Sequence, residues 1–215
     1  LELVFANGMD KGVQVGIQTG DVTKMNTFDE FYDAYKKQME YCISLMVNAD
    51  NAIDVAHAER CPLPFLASMV DDCLTRGLTA EQGGAVYNFT GPQGFGIANM
   101  ADSLYAIRKL VYEDKKVSME TYKEALAWNY DKGLDEKSVA DMSEMILKGM
   151  QDAGMTVNED TAKAVLQTVM RLKPSDEQIQ KFTELHDMID EVPKFGNAID
   201  DVDYFARDVA YTYTR

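Results

Sequence analysis

One long helix, from Thr27 to about Arg60, limits most strongly how this chain can fold. Thr27 and Glu30 have the spacing of a capping box at its start. The prolines in the segment "CPLPF" end the helix, because proline cannot continue it. Apolar side chains recur at helical spacing along it: Phe28, Phe31, Tyr35, Met39, Cys42 and Met46. We interpret this face as packed core rather than as a cofactor contact.

Shorter helices and one strand are predicted around the long helix. The first residues, "LELVFANG", are typical of a helix end closed by Gly8, and the polar residues 9–26 predict a loop. The run "GAVYNF", residues 84–89, predicts a short strand. The other predicted elements are helices: 65–76 with Gly77 as its stop, 97–113 with Ile97, Ala101, Leu104, Ile107, Leu110 and Val111 on one face, Ser118 to Trp128, several within 133–191, and one within 192–215.

The net charge of −15 limits the partners that the chain can have. Nucleic-acid phosphates and anionic membrane surfaces would be repelled, so we expect neither as a partner. Cys42, Cys61 and Cys73 match no disulfide framework and no zinc pattern. We expect them to be small buried apolar residues in a reducing, cytoplasmic setting. His57 and His186 share no metal-ligand spacing, so no metal site is predicted.

The glycine-rich turn "TGPQGFG" opens a helix and invites comparison with nucleotide-binding loops. A dinucleotide fingerprint needs a third glycine, but Gly94-Phe95-Gly96 is followed by Ile97, Ala98 and Asn99. A phosphate-binding loop of the Walker type needs lysine and serine or threonine after its last glycine, and neither follows. The glycines instead indicate close approach of the backbone to another group, or a positive φ angle.

Longer stretches of the sequence carry a family resemblance. They are "LELVFANG", "TGD" followed by "TFDEFYDAYKKQ", "CPLPFLASMVDDCLTRG", "GGAVYNFTGPQGFGIANMADSLYAIRKLVYEDKK" and "PKFGNAIDDVD". In this order, over most of the chain, they resemble the glycyl radical enzymes, the pyruvate formate-lyase superfamily. The third resembles the P-x-P-F-x-S segment of that family, and the last resembles its K-[FY]-G-N-D-x-x-x-D element.

The resemblance implies a ten-stranded α/β barrel and radical chemistry. In the family, one loop carries a cysteine that becomes a thiyl radical, and another stores an organic radical on glycine, installed by a radical S-adenosylmethionine activase. Neither a G-C-x-E nor an R-V-A-G-Y loop occurs in this sequence; family order puts them before Leu1 and after Arg215. We therefore expect a central fragment, mostly α-helical with a few short strands, which holds no catalytic residue, cofactor or metal. Its implied partners are the rest of the parent enzyme, the activase and a second parent copy.

The turn at residues 90–96 supplies the candidate substrate contacts. The resemblance makes Thr90, Gln93, Gly94 and Phe95 candidates for the pocket. Arylacetate decarboxylases of the family carry a glutamate in the equivalent turn, whereas this turn has no carboxylate. The sequence "GPQGFG" instead resembles that of the eliminating members of the family, which act on diols, hydroxyproline, choline or isethionate.

A stretch with no counterpart in most family members divides the chain. Residues 133–191 are predicted to be an acidic helical insertion, between the barrel and outer helices of 1–132 and a return to the barrel domain in 192–215. Its apolar positions indicate a packed element of two to four helices: Met142, Met145, Ile146, Val165, Leu166 and Val169.

The function predicted from these patterns is that of a fragment of an oxygen-sensitive, cytoplasmic glycyl radical lyase. The parent reaction would eliminate water, an amine or sulfite from a small polar substrate. Arylacetate decarboxylase and formate acetyltransferase stay open as alternatives within the family. A non-catalytic scaffold or partner module is the alternative of another class.

Overall fold

The computed structural model describes residues 1–128, 136–171 and 174–214 of the chain. The chain divides into two compact units. The first unit contains Leu1–Tyr105 and Lys194–Arg215, and the second contains Ala106–Pro193. The predicted boundary between residues 132 and 133 lies outside the described residues, so the division into barrel segments and an insertion stays a prediction.

Helices make up nearly all the regular structure of the described residues. They are α1 (Glu2–Phe5), α2 (Phe28–Arg60), α3 (Pro64–Ala67), α4 (Cys73–Arg76), α5 (Ile97–Ile107), α6 (Met119–Ala127), α7 (Glu136–Asp152), α8 (Glu159–Arg171), α9 (Asp176–Glu191) and α10 (Asp200–Thr214). A 3-10 helix covers Val22–Lys24, a π-helix covers Arg108–Glu113, and strands β1 (Met9–Asp10) and β2 (Val13–Gln14) pair antiparallel. Of the described helices, none combines the length and the apolar character that crossing a membrane requires.

The long helix α2 begins and ends where the sequence predicts. The Thr27 hydroxyl accepts a hydrogen bond from the Glu30 backbone N–H at 3.3 Å, and the Glu30 carboxylate accepts one from the Thr27 backbone N–H at 3.3 Å. These bonds satisfy two of the N–H groups that a helix start leaves free. At the other end, α2 stops at Arg60, two residues before the first proline. The predicted helix is confirmed.

Aromatic rings from α1, α2, α5 and α10 pack together in the first unit. Phe31 is fully buried, and its ring centre lies 5.6 Å from that of Phe5 in an edge-to-face arrangement. Phe205 of α10 lies 5.8 Å from Phe28 and 6.4 Å from Tyr105. Such rings contribute large buried apolar areas, so this cluster anchors α10 and α5 beside α2.

Two polar contacts fix α10 and the segment before it to α5. The Tyr105 hydroxyl donates a hydrogen bond to Asp201 Oδ2 at 2.9 Å. The backbone N–H of Phe195 donates one to Asp102 Oδ1 at 2.7 Å. Hydrogen bonds to carboxylates are stronger than those between neutral groups, and these two set the position of α10 relative to α5.

The buried side chain of Gln38 holds the segment before α2 against that helix. Its Oε1 accepts a hydrogen bond from the Ile17 backbone N–H at 3.2 Å, and its Nε2 donates to the Ile17 carbonyl at 2.6 Å. A longer contact of 3.4 Å joins Nε2 to the Thr19 hydroxyl. Gly16 lies against the same amide, and a Cβ atom there would collide with Gln38 Oε1. The segment can approach the helix this closely because Gly16 has no side chain.

The second unit packs its helices in two pairs, α6 with α9 and α7 with α8. Ser118 caps α6 by accepting a hydrogen bond from the Thr121 backbone N–H at 3.2 Å, as the sequence predicts. Gln178 of α9 donates a hydrogen bond to Glu124 of α6 at 3.0 Å. The apolar core of these helices consists of Met119, Tyr122, Ala125, Val169, Phe182 and Leu185.

The predicted strand at residues 84–89 is wrong for this structure. The segment has no strand or helix, and its side chains Val86, Tyr87 and Phe89 are 51%, 78% and 83% exposed. A strand exists only through hydrogen bonds to a neighbouring strand. Within the described ranges the only paired strands are β1 and β2, so residues 84–89 have no strand beside them.

Three other predicted elements differ in detail. Residues 9–26 are not a plain loop, because Lys11 and Gly12, both with positive φ, turn β1 into β2. The predicted helix 65–76 is two short helices, since Asp72 has a φ of 69° that breaks the run before α4. The predicted helix 97–113 is confirmed up to Ile107, but Arg108–Glu113 continues it as a π-helix.

The burial predicted for α7 and α8 is only partly correct. Val169 is 1% exposed and forms core as expected. Met145, Ile146 and Leu166 are 68%, 37% and 42% exposed, so α7 and α8 pack together but leave these three side chains largely open to solvent. Two helices paired with each other can each bury only one stripe of side chains.

Candidate functional site

The glycine-rich turn leads directly into α5. Gly96 has a φ of +73°, a left-handed conformation that side chains with a Cβ rarely adopt, and its carbonyl accepts the first helical hydrogen bond, from Met100 N–H at 2.8 Å. Gly94 is needed for space: a Cβ there would lie 3.2 Å from Ile97 Cδ1 and 3.3 Å from Tyr213 Cε1. The turn is therefore shaped to lie close against α10.

A cavity of about 240 Å³ lies beside this turn in the first unit. The turn and the start of α5 form one wall, and α2 and α10 form the others. The lining residues are Tyr35, Met39, Gln93, Gly94, Phe95, Gly96, Ile97, Met100, Val209 and Tyr213. The aromatic cluster and the contacts of Asp102 and Asp201 hold these walls together, so the cavity is built on packed helices.

The polar groups of the cavity are uncharged. The Tyr213 hydroxyl is buried and has no hydrogen-bond partner among the described residues. Burial, and secondarily the nearby Tyr32 phenol, raise the pKa of Tyr35 to about 12, so that phenol stays protonated at any physiological pH. The described lining contains no lysine, arginine, histidine or carboxylate. The site can therefore offer hydrogen bonds and apolar contact, but no ion pair.

Three of the four predicted pocket residues come together here. Gln93, Gly94 and Phe95 line the cavity, although the Phe95 side chain is 89% exposed and belongs to its rim. Thr90 does not line it, because its hydroxyl donates a hydrogen bond to Asp54 Oδ2 at 2.5 Å. The pairing ties the start of the turn to α2 instead.

The sequence patterns do not identify the residues that α2 and α10 contribute to the cavity. Helical spacing predicts Tyr35 and Met39 only as core of the long helix, and no pattern distinguishes Val209 or Tyr213. Nothing in the order of the sequence links Tyr213 to a turn more than a hundred residues earlier. A periodic face on α10 could have suggested that Val209 and Tyr213, one helical turn apart, lie together.

Among the described residues, the cysteines and other possible metal ligands form no second site. Cys73 is buried as predicted, but Cys42 and Cys61 are exposed, so the prediction for those two is wrong. Cys42 lies beyond Gln38, the last buried residue of α2, and Cys61 is the C-cap residue of that helix. Across the described parts of the chain, no three histidine, cysteine or acidic residues lie close enough to hold a metal ion.

Comparison with known proteins decides the family. A family model described as pyruvate formate lyase-like matches residues 1–215. The chain belongs to the pyruvate formate lyase-like family. This confirms the resemblance to glycyl radical enzymes that the sequence motifs carry.

Members of this family with solved structures match along the whole chain. A Roseburia inulinivorans structure concerned with 1,2-propanediol dehydration is 53% identical, with a TM-score of 0.80, and the match covers 100% of this chain and 26% of that one. The B12-independent glycerol dehydratase of Clostridium butyricum, with glycerol bound, is 37% identical, with a TM-score of 0.70, over 99% of this chain and 21% of that one.

A curated protein is also similar to this chain, over a shorter range of residues. Trans-4-hydroxy-L-proline dehydratase of Clostridioides difficile is 38% identical over 133 residues, which is 61% of this chain and 17% of the dehydratase. The chain therefore spans about a sixth of that curated relative. The ten-stranded barrel stays a prediction about a longer protein, since the described residues contain only the β1–β2 pair.

Proposed function

We propose that this chain is part of a glycyl radical dehydratase that acts on a small vicinal diol. The observation that carries the proposal is the 53% identity, over the full chain, to the structure concerned with 1,2-propanediol dehydration. The same reaction type is named for the glycerol dehydratase and the hydroxyproline dehydratase. For 1,2-propanediol the products would be propanal and one water molecule.

The contribution of this chain would be to binding and positioning. The thiyl and glycyl loops of the family are not in this sequence, so hydrogen abstraction would belong to another part of the parent enzyme. Gln93, Gly94 and Phe95, at the cavity beside α5, are proposed as this chain's share of the substrate pocket. Thr90 is proposed only as support for the turn, through Asp54.

The parent would need the partners that its chemistry requires. We propose that a radical S-adenosylmethionine activase installs the glycyl radical, that the parent forms a homodimer, and that it works in the cytoplasm. A site protected from water and oxygen would be required, because radical intermediates are otherwise lost. The 215 residues alone are expected to show no lyase activity.

The experiment is an anaerobic assay of the full-length protein that contains this chain. After treatment with the activase and S-adenosylmethionine, electron paramagnetic resonance should show a glycyl radical doublet. Propanal formation from 1,2-propanediol should then exceed any turnover of trans-4-hydroxy-L-proline, isethionate or 4-hydroxyphenylacetate. A radical without diol turnover would refute the proposed substrate class, and a natural chain that ends at residue 215 and forms no radical would favour the scaffold alternative.

The predicted role of Gln93 can be tested in the same assay. Gln93→Ala should lower kcat/KM for the diol while the radical yield and the melting temperature stay unchanged, because Gln93 lies on the cavity wall and not in the core. Gln82→Ala is a matched control, since Gln82 belongs to a turn outside the cavity lining. An unchanged kcat/KM for Gln93→Ala would show that Gln93 only shapes the turn.

A further inference from the structure

We propose that the groove between α7 and α8 is a docking surface for a cationic amphipathic helix of another protein. The groove lies within the second unit, and it shares no residue with the cavity beside the glycine-rich turn. This docking surface therefore goes beyond the proposed function and does not depend on it.

The groove is open to solvent and lined by small or apolar side chains. It has a volume of about 270 Å³. Ile146 and Met150, one turn apart on α7, line one side, and α8 lines the other side with residues between Thr161 and Val169. From residue 161 to residue 169 a helix rises by about 12 Å. The groove is therefore about as long as two turns of a partner helix.

The two threonines that line the groove have their hydroxyls satisfied by neighbouring residues of the chain. Thr168 Oγ1 donates a hydrogen bond to the Ala164 carbonyl at 2.7 Å, and Thr161 Oγ1 donates one to Asn158 Oδ1 at 2.8 Å. Neither hydroxyl requires a polar ligand. Ala164, between them on α8, is exposed and small, so the backbone of a partner helix can come close.

The apolar side chains of the groove suit the apolar stripe of a partner helix. Ile146 is 37% exposed in the lining, and Met145 beside it is 68% exposed. Covering them with aliphatic side chains removes apolar surface from water on both sides. Methionines such as Met150 and Met145 are flexible and adapt to a partner surface. An amphipathic helix laid in an apolar groove is a recurring mode of recognition.

Carboxylates at one end of the groove favour a positively charged partner. Asp152 is the last residue of α7, and Asp160 directly precedes the first lining residue of α8, with Glu159 beside it. Residues 149–162 contain no lysine or arginine. None of the three carboxylates has an ion-pair partner among the described residues. At the end of α7 the helix dipole also disfavours the charge of Asp152, so a cation from a partner would stabilise it.

Charge distinguishes between the possible occupants of the groove. The chain carries a net charge of −15, so a second copy and an anionic membrane surface would both be repelled. A cationic helix is attracted by the same field. Its positive end would lie beside the turn between α7 and α8, where Asp152 and Asp160 are.

The test measures binding of synthetic helical peptides to the full-length protein that contains this chain. The probe is a fluorescein-labelled peptide with leucines at i, i+3, i+7 and i+10, which form one helix face, and lysines on the opposite face. A second peptide has glutamate in place of every lysine. Fluorescence anisotropy should show saturable binding of the lysine peptide. Binding of the glutamate peptide should be weaker by about 10-fold or more, because like charges would then face each other.

Two variants of α8 show whether the lysine peptide lies in the groove. Ala164→Lys places a long charged side chain in the groove, and Gln167→Lys adds the same charge at an exposed position outside the lining. Ala164→Lys should weaken binding by roughly 10- to 150-fold, the range for losing the burial of one leucine side chain. Gln167→Lys should weaken it by less than about 5-fold. Both melting temperatures should stay close to that of the parent, because lysine is a good helix former.

The carboxylates at the end of the groove have a test of their own. Replacing Asp152→Asn and Asp160→Asn together should reduce the preference for the lysine peptide over the glutamate peptide by about 2- to 5-fold at low salt. The difference should shrink as salt is added, because salt screens exposed charges.

Several results would overturn the assignment of a cationic helix to the groove. One is the absence of binding, and another is equal weakening by Ala164→Lys and Gln167→Lys, which would reflect net charge alone. A dimer of the peptide-free protein that Ala164→Lys dissociates would identify a second copy as the occupant. Ala164→Cys that resists a maleimide while Gln167→Cys reacts would show that the parent's own chain covers the groove. None of these measurements needs the radical or turnover of a diol, so they are distinct from failure of the proposed function.

Discussion

The contact between Gly16 and Gln38 predicts a strong energetic coupling between two positions 22 residues apart. Gly16 has no positive φ, so the backbone itself would accept alanine. The obstacle is the Gln38 amide, which a Cβ would strike, with the Gly8 Cα at 3.3 Å as the next contact. Gly16→Ala should therefore force the amide away from Ile17.

The loss of stability caused by Gly16→Ala follows from the hydrogen bonds that the Gln38 amide would lose. Two hydrogen bonds join Gln38 to the Ile17 backbone, at 3.2 and 2.6 Å. At about 0.5–1.5 kcal/mol each, Gly16→Ala should lower the free energy of unfolding by about 1–3 kcal/mol. Gln38→Ala loses the same bonds. In that background Gly16→Ala should cost almost nothing, so the two changes should couple by about 1–3 kcal/mol.

The assay is urea unfolding of the four proteins in the double-mutant cycle, followed by hydrogen exchange in peptides from the first unit. Gly91→Ala is the control, because Gly91 also has no positive φ and a Cβ there meets nothing within 4 Å. It should change stability by less than about 0.5 kcal/mol. If Gly16→Ala costs the same in both backgrounds, to within about 0.5 kcal/mol, the coupling through Gln38 is refuted.

Three further perturbations test the packing and titration of the molecule. Leu104→Ala should lower the free energy of unfolding by about 2–5 kcal/mol, because Leu104 is fully buried; a melting temperature equal to that of the parent would contradict this. Gly149→Ala should stabilise α7 by about 0.5–1 kcal/mol, since Gly149 is inside an exposed helix with nothing within 4 Å of a Cβ, and thermal melts followed by circular dichroism would show it. Burial raises the pKa of Tyr35 to about 12, so the unfolded chain loses the phenol proton at a lower pH than the folded chain does. The free energy of unfolding should therefore fall as the pH rises from about 10 to 12. Urea midpoints across that range should fall less in Tyr35→Phe.

Local signals in the sequence predicted the helices well. The capping groups Thr27 and Ser118 act through neighbours three residues away, so the order of residues contains the whole interaction. Spacing likewise predicted that Phe31 and Leu104 would be buried, because one helix face packs as a unit. It failed for Cys42, since a periodic pattern does not tell how far along α2 the neighbouring helices extend.

The candidate site could be predicted only in part, because tertiary contacts bring its residues together and local patterns do not contain such contacts. The glycines of the turn indicated that something approaches the backbone closely, and Gln93, Gly94 and Phe95 do line the cavity. The group that approaches Gly94 is Tyr213, which reaches it only because α10 packs beside α2 and α5. That placement depends on tertiary contacts such as those of Tyr105 with Asp201, and no local pattern contains them.

The absence of the predicted strand at residues 84–89 and the exposure of its aromatic rings have one common cause. The short apolar run "GAVYNF" is typical of a strand, yet Tyr87 and Phe89 stack on each other with ring centres 6.0 Å apart and remain mostly exposed. A single strand cannot bury its side chains or satisfy its backbone without neighbours on a sheet. The related structures are about four to five times as long as this chain, and a sheet formed with such additional residues would supply both. Residues 84–89 have no pairing strand among the described residues, and we propose that they would form a strand in a longer protein that supplied one.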